Sequence, residues 1–261
     1  MTRKMTVDAL ILAGTEETPL TQLAGVANKA LLPIGGKPMI AYVREAIAAL
    51  PEVQRIAVIG PQQLQQVLDA GQIPLFAEQG SVIDNFLYGC AQLGTADRVL
   101  AVTADIPMLT PQALQDFLHQ CAAYEADIYY PIIPKEATEK AYPGVTRTYL
   151  KLKDGVFTGG NLFLLRPTTI AANAEAIRHF FELRKHPLRI ASQLGWGLFV
   201  RVLLSQVWGI VSVRELEEHI GHLFHLQGKA IVSQYPEIGT DVDKSSDWKL
   251  VEEILAGRRA S

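Results

Sequence analysis

Apolar and polar positions in the first half of the chain fall into two alternating kinds of run. DALILAG, RIAVIG, IPLFAEQ and RVLAVTAD are short and β-rich, and each precedes a stretch with helical spacing. Those stretches are the segment opening at Pro38, PQQLQQVLDAG, SVIDNFLYGCAQLG and PQALQDFLHQCAAY. Four such units predict an α/β protein: a mostly parallel sheet with helices on both faces, in three layers. Pro38, Pro61 and Pro111 stand where three of the helices open, a position at which a missing N–H costs nothing, and Ser81 is the expected cap of the fourth.

After about residue 127 the rhythm changes. DIYYPIIP, RTYLKLKDG and VFTGGNLFLLRP read as successive strands, which predicts antiparallel additions and hence a mixed sheet. From Pro167 to Gln227 the spacing is mainly helical; KAIVSQY then supplies a late strand before a closing helix from Ser245. No linker rich in Gly, Pro or Ser divides the chain, so residues 1–261 are expected to form a single domain with a helical elaboration at about 167–227. The apolar stretch at 188–213 is broken by Arg201, Ser205 and Gln206, which argues against a membrane span and for a buried helix or a homodimer surface. The apolar run near the N-terminus is interrupted by Asp8 and is too short for a signal sequence or a span.

Charge and cysteines narrow the partners. With 24 Lys+Arg against 27 Asp+Glu the chain has no basic field to gather nucleic acid. Cys90 and Cys121 form no CxxC pair, and buried thiols in a reducing cytoplasm are the expectation. His219, His222 and His225 are spaced three apart, a spacing that drifts around a helix, so the metal case for them is weak.

The chemistry should lie at the carboxyl ends of the parallel strands, where an open α/β sheet leaves a crevice lined by helix N-termini. Three stretches converge there. The first strand leaves through Ala13 and Gly14 and returns through Asn28 and Lys29, whose ammonium suits phosphate oxygens unless it is an ordinary loop lysine. VTADIP ends a buried strand in Asp105, placed to hold a hard cation or to act as a turn residue. In GTDVDKSSDWKL, Asp241 and Asp243 alternate on extended backbone, so only one of them is expected to face the site. Gly35 and Gly36 supply a tight turn ahead of a helix, with Lys37 as a support for the phosphate loop. Gln79, Gly80 and Ser81 are placed to contact base or ribose, with turn and cap as the alternative.

LAG…NKALLPIGGKPMI, TADIP, GGNLF and DVDKSSDWKL, in that order, resemble the MobA-like NTP transferases, a family within the nucleotide-diphospho-sugar transferases. The resemblance spans nearly the whole chain and implies a Rossmann-like sheet. It also implies transfer of a nucleoside monophosphate from an NTP to a phosphorylated small-molecule acceptor, with release of pyrophosphate. Carried over, Leu12, Ala13 and Gly14 would approach the nucleotide, and Lys29 would contact its phosphates. Asp105 and Asp243 would hold Mg²⁺, or Mn²⁺ in its place, and Gly159, Gly160 and Asn161 would lie against the acceptor. The chain departs from the family at Thr15, Glu16 and Glu17, where a further glycine and a basic residue are usual; Arg147 is the candidate to supply the cation and contact the acceptor. A nucleotide-binding relative with lost or altered catalysis therefore stays open beside the active enzyme. A sugar-nucleotide-dependent glycosyltransferase is the weaker alternative, because Thr103-Ala104-Asp105 stands where an Asp-x-Asp would be expected.

Overall fold

A computed structural model describes residues 5–14, 18–68, 72–94, 97–183 and 195–260, with side chains given to residue 257. Its frame is a nine-stranded sheet. The first strand, β1 (Val7–Leu12), lies between β4 (Val53–Ile59) and β6 (Val99–Thr103), parallel to both, and β5 (Leu75–Phe76) extends the edge beside β4. Along β1, Ala9 and Ile11 point to one face and Leu10 to the other, all fully buried. Burial on both faces explains why these strands read as continuous apolar runs. One face packs on α2 (Met39–Ala48) and α4 (Pro111–Cys121); the other packs on α3 (Val82–Leu93) and on helices from the second half of the chain. The layers are thus helix, sheet, helix, as expected.

Asp8, the polar break in β1, is buried at 6% exposure and takes two hydrogen bonds from Arg55, of 3.0 Å to Oδ1 and 2.6 Å to Oδ2. Arg55 is half exposed and also donates to the Leu93 carbonyl. The pair is asymmetric. Arg55→Met strands a buried carboxylate and is expected to cost about 1–3 kcal/mol, whereas Asp8→Asn leaves an arginine that water can solvate and should cost less. Urea denaturation of the two variants checks the order.

The second half brings the expected antiparallel additions, though the first of its strands is not one of them. β7 (Ile128–Pro134) runs parallel to β6, not antiparallel, because β10 (Leu162–Leu165) is inserted between them and is antiparallel to both. β9 (Gly155–Gly159) pairs with the carboxyl half of that same edge of β7 and carries β8 (Leu150–Leu152) outside it. β9 and β10 are thus one line of chain interrupted at Gly160 and Asn161. β11 (Gly228–Val232) adds in parallel on the other edge of β7.

Several helix starts follow the expected signals. Ser81 caps α3 through a capping box with Asp84, and Thr110 caps α4 ahead of Pro111. Pro38 is the last residue before α2 and belongs to a small hairpin, β2 (Pro33–Ile34) and β3 (Lys37–Pro38). Its two turn residues, Gly35 (φ 55°) and Gly36 (φ 81°), both occupy the left-handed region that this two-residue turn requires. The run after Pro61 forms only a short 3-10 turn, Gln62–Gln66, in place of the expected helix. The elaboration contains α6 (Pro167–Ala172), α7 (Ala174–Leu183), α8 (Trp196–Trp208) and α9 (Val213–Phe224), and α10 (Ser245–Ala260) closes the chain. The short helices α1 (Pro19–Ala24) and α5 (Lys135–Ala141) complete the set named here. Among the described residues no helix is long and apolar enough to cross a membrane.

Candidate active site

The carboxyl edge of the sheet is assembled by hydrogen bonds between successive strand ends. Ala13 donates to the Ile59 carbonyl, and Ala104 donates to the Leu12 carbonyl. Thr103 in turn donates to Asn161 (3.0 Å), so Leu12, Ala13, Asp105 and the Gly160–Asn161 break lie together. Asn28 fixes the other end of the first loop. Its side chain is 1% exposed, donates to the carbonyls of Ala13 (3.1 Å) and Gly14 (3.2 Å), and accepts from Ala30 N–H (2.8 Å). That anchorage sets Lys29 at the start of a 3-10 turn, Lys29–Leu31, facing the end of β6. Glu16 and Glu17 lie outside the described residues.

Lys29 joins two distant segments. Its Nζ is 2.8 Å from Asp105 Oδ2 and is also paired with Asp243 Oδ1. Burial acts to lower the pKa of this ammonium, and the two carboxylates outweigh burial and raise it above the ordinary lysine range. Asp105 is steadied from its own strand by a 2.6 Å hydrogen bond from Thr103 Oγ1. The Asp105 carbonyl accepts from Val242 N–H at 3.0 Å, tying the late segment to the end of β6.

Asp241 and Asp243 both approach Asp105, which corrects the expectation that only one would face the site. One carboxylate oxygen from each of the three lies within 4.8 Å of the others. The segment is not a strand: it leaves the 3-10 turn Pro236–Gly239 and enters α10, so strict alternation does not apply. Val242, fully buried between them, anchors the bend. Arg147 pairs with Asp241 Oδ1 and donates from Nη2 to the Asp241 carbonyl (2.9 Å). Burial, with Asp105 and Asp243 nearby, still raises the Asp241 pKa against the pull of Arg147. For Asp243 burial also acts upward, but Lys29 prevails and lowers it.

The remaining expected residues divide. At Gly14 a side chain would meet nothing within 4 Å, so the loop is open there to a close approach. Gly159 and Gly160 are sterically required: a Cβ would fall 1.7 Å from Tyr130 Oη at the first, and 2.7 Å from Pro131 Cγ at the second. Asn161 uses its backbone, donating to the Ile238 carbonyl and accepting from Thr103. Gln79 and Ser81 have turn and cap partners, the Asn85 side chain and Asp84 respectively, and Gly80 has φ 134° between them. Lys37 pairs with Glu45 and lies 4.3 Å from the Tyr42 ring centroid, supporting its hairpin. The histidines at 219, 222 and 225 form no metal-ligating group among the described residues. Asn28 and Thr103 join the site without being announced by the sequence, apart from the place of Asn28 next to Lys29 in the returning loop.

A lysine held between two aspartates, with a third carboxylate beside them, at the carboxyl edge of a mixed Rossmann-like sheet fits a nucleotidyltransferase-type α/β protein, and comparison with known proteins agrees. Residues 9–204 match the MobA-like NTP transferase domain, and the chain belongs to that family of nucleotidyltransferases. Bifunctional protein GlmU of Acidithiobacillus ferrooxidans is 33% identical over 121 residues, 44% of this chain and only 26% of that relative's length. A structure described as a hypothetical transferase from Thermus thermophilus superposes with a TM-score of 0.82 at 34% identity, over 94% of this chain and 100% of the other. The CMP:2-keto-3-deoxy-manno-octonic acid synthetase complexed with CTP shares the fold alone: TM-score 0.61, 14% identity, 97% of this chain and 99% of the other.

Proposed function

We propose that the chain transfers a nucleoside monophosphate from an NTP to a phosphorylated small-molecule acceptor and releases pyrophosphate, with Mg²⁺ as the preferred divalent ion and Mn²⁺ as a substitute. The observation that carries this reading is the meeting of Lys29, Asp105 and Asp243 at one strand edge. Three carboxylates offer hard oxygen donors within reach of one another, which suits such an ion. Asp105 and Asp243 would hold it, with Asp241 beside them; when bound, it would neutralise charge on the phosphates.

The chain's own residues then have separable tasks. Backbone at Leu12, Ala13 and Gly14, held open by Asn28, admits the triphosphate, and Lys29 supplies the cation facing the α-phosphate. Gln79, Gly80 and Ser81 line the approach for base or ribose. Gly159, Gly160 and Asn161 border the acceptor, whose phosphate oxygen attacks the α-phosphorus as the bond to the β-phosphate oxygen breaks. Because that oxygen is already ionised, in-line positioning and charge neutralisation suffice without a strong base. Arg147, held on Asp241, orients the late segment and offers its charge on the acceptor side. The CTP named for the synthetase of the same fold supports an NTP as donor.

We also read 1–261 as one domain, since β11, which follows the helical elaboration, completes the same sheet. Cys90 and Cys121 are buried thiols, which supports a reducing, cytoplasmic setting.

A thermal-shift panel of the four NTPs with and without Mg²⁺ tests the reading. A matching NTP with the ion, at about a hundred times its Kd, should stabilise the fold by about 2.7 kcal/mol, a rise of roughly 5–10 °C. No rise with any NTP at millimolar concentration overturns it. A rise without pyrophosphate release, across a panel of sugar phosphates, would favour the nucleotide-binding relative with altered catalysis.

A further inference from the structure

The outer face of α8 is apolar and uncovered. Trp196, Val200, Leu203 and Val207 are 59%, 46%, 54% and 61% exposed, and Leu204 and Trp208 flank them. On the opposite side of the helix, Leu198 and Ser205 are buried; Leu198 packs with Leu152 and Val211, and Ser205 Oγ donates to the Lys151 carbonyl at 2.8 Å. α8 is therefore seated on β8 by one face while its other face meets no part of the described chain.

We propose that this face pairs with the same face of a second copy, two α8 helices crossing antiparallel about a two-fold axis. The spacing is that of a helix–helix seam. Positions 196, 200, 203 and 207 follow one another at four, three and four residues, so at about 100° per residue they stay within a narrow stripe. A four-three-four spacing is also the same read from either end. In an antiparallel pair, Trp196 therefore meets Val207 of the other copy and Val200 meets Leu203, large against small in each case. A two-fold interface requires this self-complementarity, residue i on j and j on i.

Exposure and charge favour a copy over other occupants. Six large apolar residues on one helix, each 39–65% exposed, are more than the scattered apolar residues of an ordinary monomer surface, and a clustered apolar face of this kind marks a protein–protein contact. The helix carries one charged residue, Arg201, and its guanidinium is held by Glu215. A helix lying on an anionic membrane would instead present several Lys or Arg on its polar side, and the chain as a whole is at -3. A neutral stripe with its single cation already paired meets its own image without charge repulsion.

Sedimentation equilibrium across the micromolar range tests the proposal. The wild type should show twice the 28.7 kDa mass of one chain. Leu203→Glu, and separately Val207→Glu, should raise the dissociation constant at least about 100-fold, with unchanged circular dichroism because both side chains already face water. Val200→Cys combined with Leu203→Cys should cross-link two chains on oxidation, and neither single substitution should do so efficiently. A wild type at single-chain mass throughout overturns the proposal, as does a dimer indifferent to Leu203→Glu. So does a single-chain species that binds phosphatidylcholine–phosphatidylserine vesicles through Leu203, or one that dimerises only once residues 184–194 are removed.

Discussion

Asp105→Asn should lower turnover about 10²- to 10³-fold while moving the melting midpoint by no more than a few degrees. The substitution keeps the size of the side chain and an oxygen able to accept from Thr103 Oγ1, so the turn after β6 retains its local bond. What it removes is charge. Lys29 keeps Asp243, and one carboxylate of a mutually repelling trio is lost along with an attraction to Lys29, so the effects on folding oppose each other. No such offset exists for the reaction, where the negative charge that would recruit the ion is missing. Steady-state pyrophosphate release alongside a melting curve reads both. A variant that unfolds would make Asp105 a structural turn residue, and one that keeps its rate would remove it from the proposed machinery.

The second large effect is expected from Gly159→Ala. A methyl group there would lie 1.7 Å from Tyr130 Oη and 2.8 Å from Cζ, far inside contact distance. Tyr130 has little room to retreat, since its ring is stacked on Phe163 with centroids 4.9 Å apart. Overpacking of this kind should cost about 2–3 kcal/mol, a fall of roughly 5–10 °C, and should weaken acceptor binding through the displaced strand. Tyr130→Phe in the same background removes the closest atom and should restore part of the loss, a coupling that a double-mutant cycle measures. A Gly159→Ala protein as stable as the wild type would mean that strand and ring separate more easily than their packing suggests.

The parts of the fold set by short-range chemistry were legible in the chain. Burial on both faces of β1 and β6 makes their sequences continuous apolar runs. Ser81 and Pro111 are local signals of helix starts, to which the structure adds Asp84 and Thr110, and Gly35–Gly36 announces its turn by conformational need. Lys29, Asp105 and Asp243 were visible for the same reason, each ending or re-entering a recognisable element. What escaped depends on long-range pairing. Nothing near Ile128 tells whether β7 lies beside β6 or beyond an inserted strand that comes more than thirty residues later. Alternation implies that only one of Asp241 and Asp243 faces the site, whereas the segment bends around buried Val242. The pairing of Arg147 with Asp241, ninety-four residues away, likewise has no local signal.

The bond from Val242 to the Asp105 carbonyl has a bearing on biosynthesis. A ribosome delivers the chain N-terminus first, so Lys29, Asp105 and the glycines beside Asn161 emerge well before Asp241 and Asp243. The family match itself ends at residue 204, short of both aspartates. A nascent chain can thus build most of the sheet and the loop that carries Lys29 while lacking two of the three carboxylates. Only when β11 has docked and the following residues have been stitched to the end of β6 is the acidic cluster whole. The late segment is therefore the closing step in assembling the proposed site, and a chain that lacks it has the sheet without the acidic cluster.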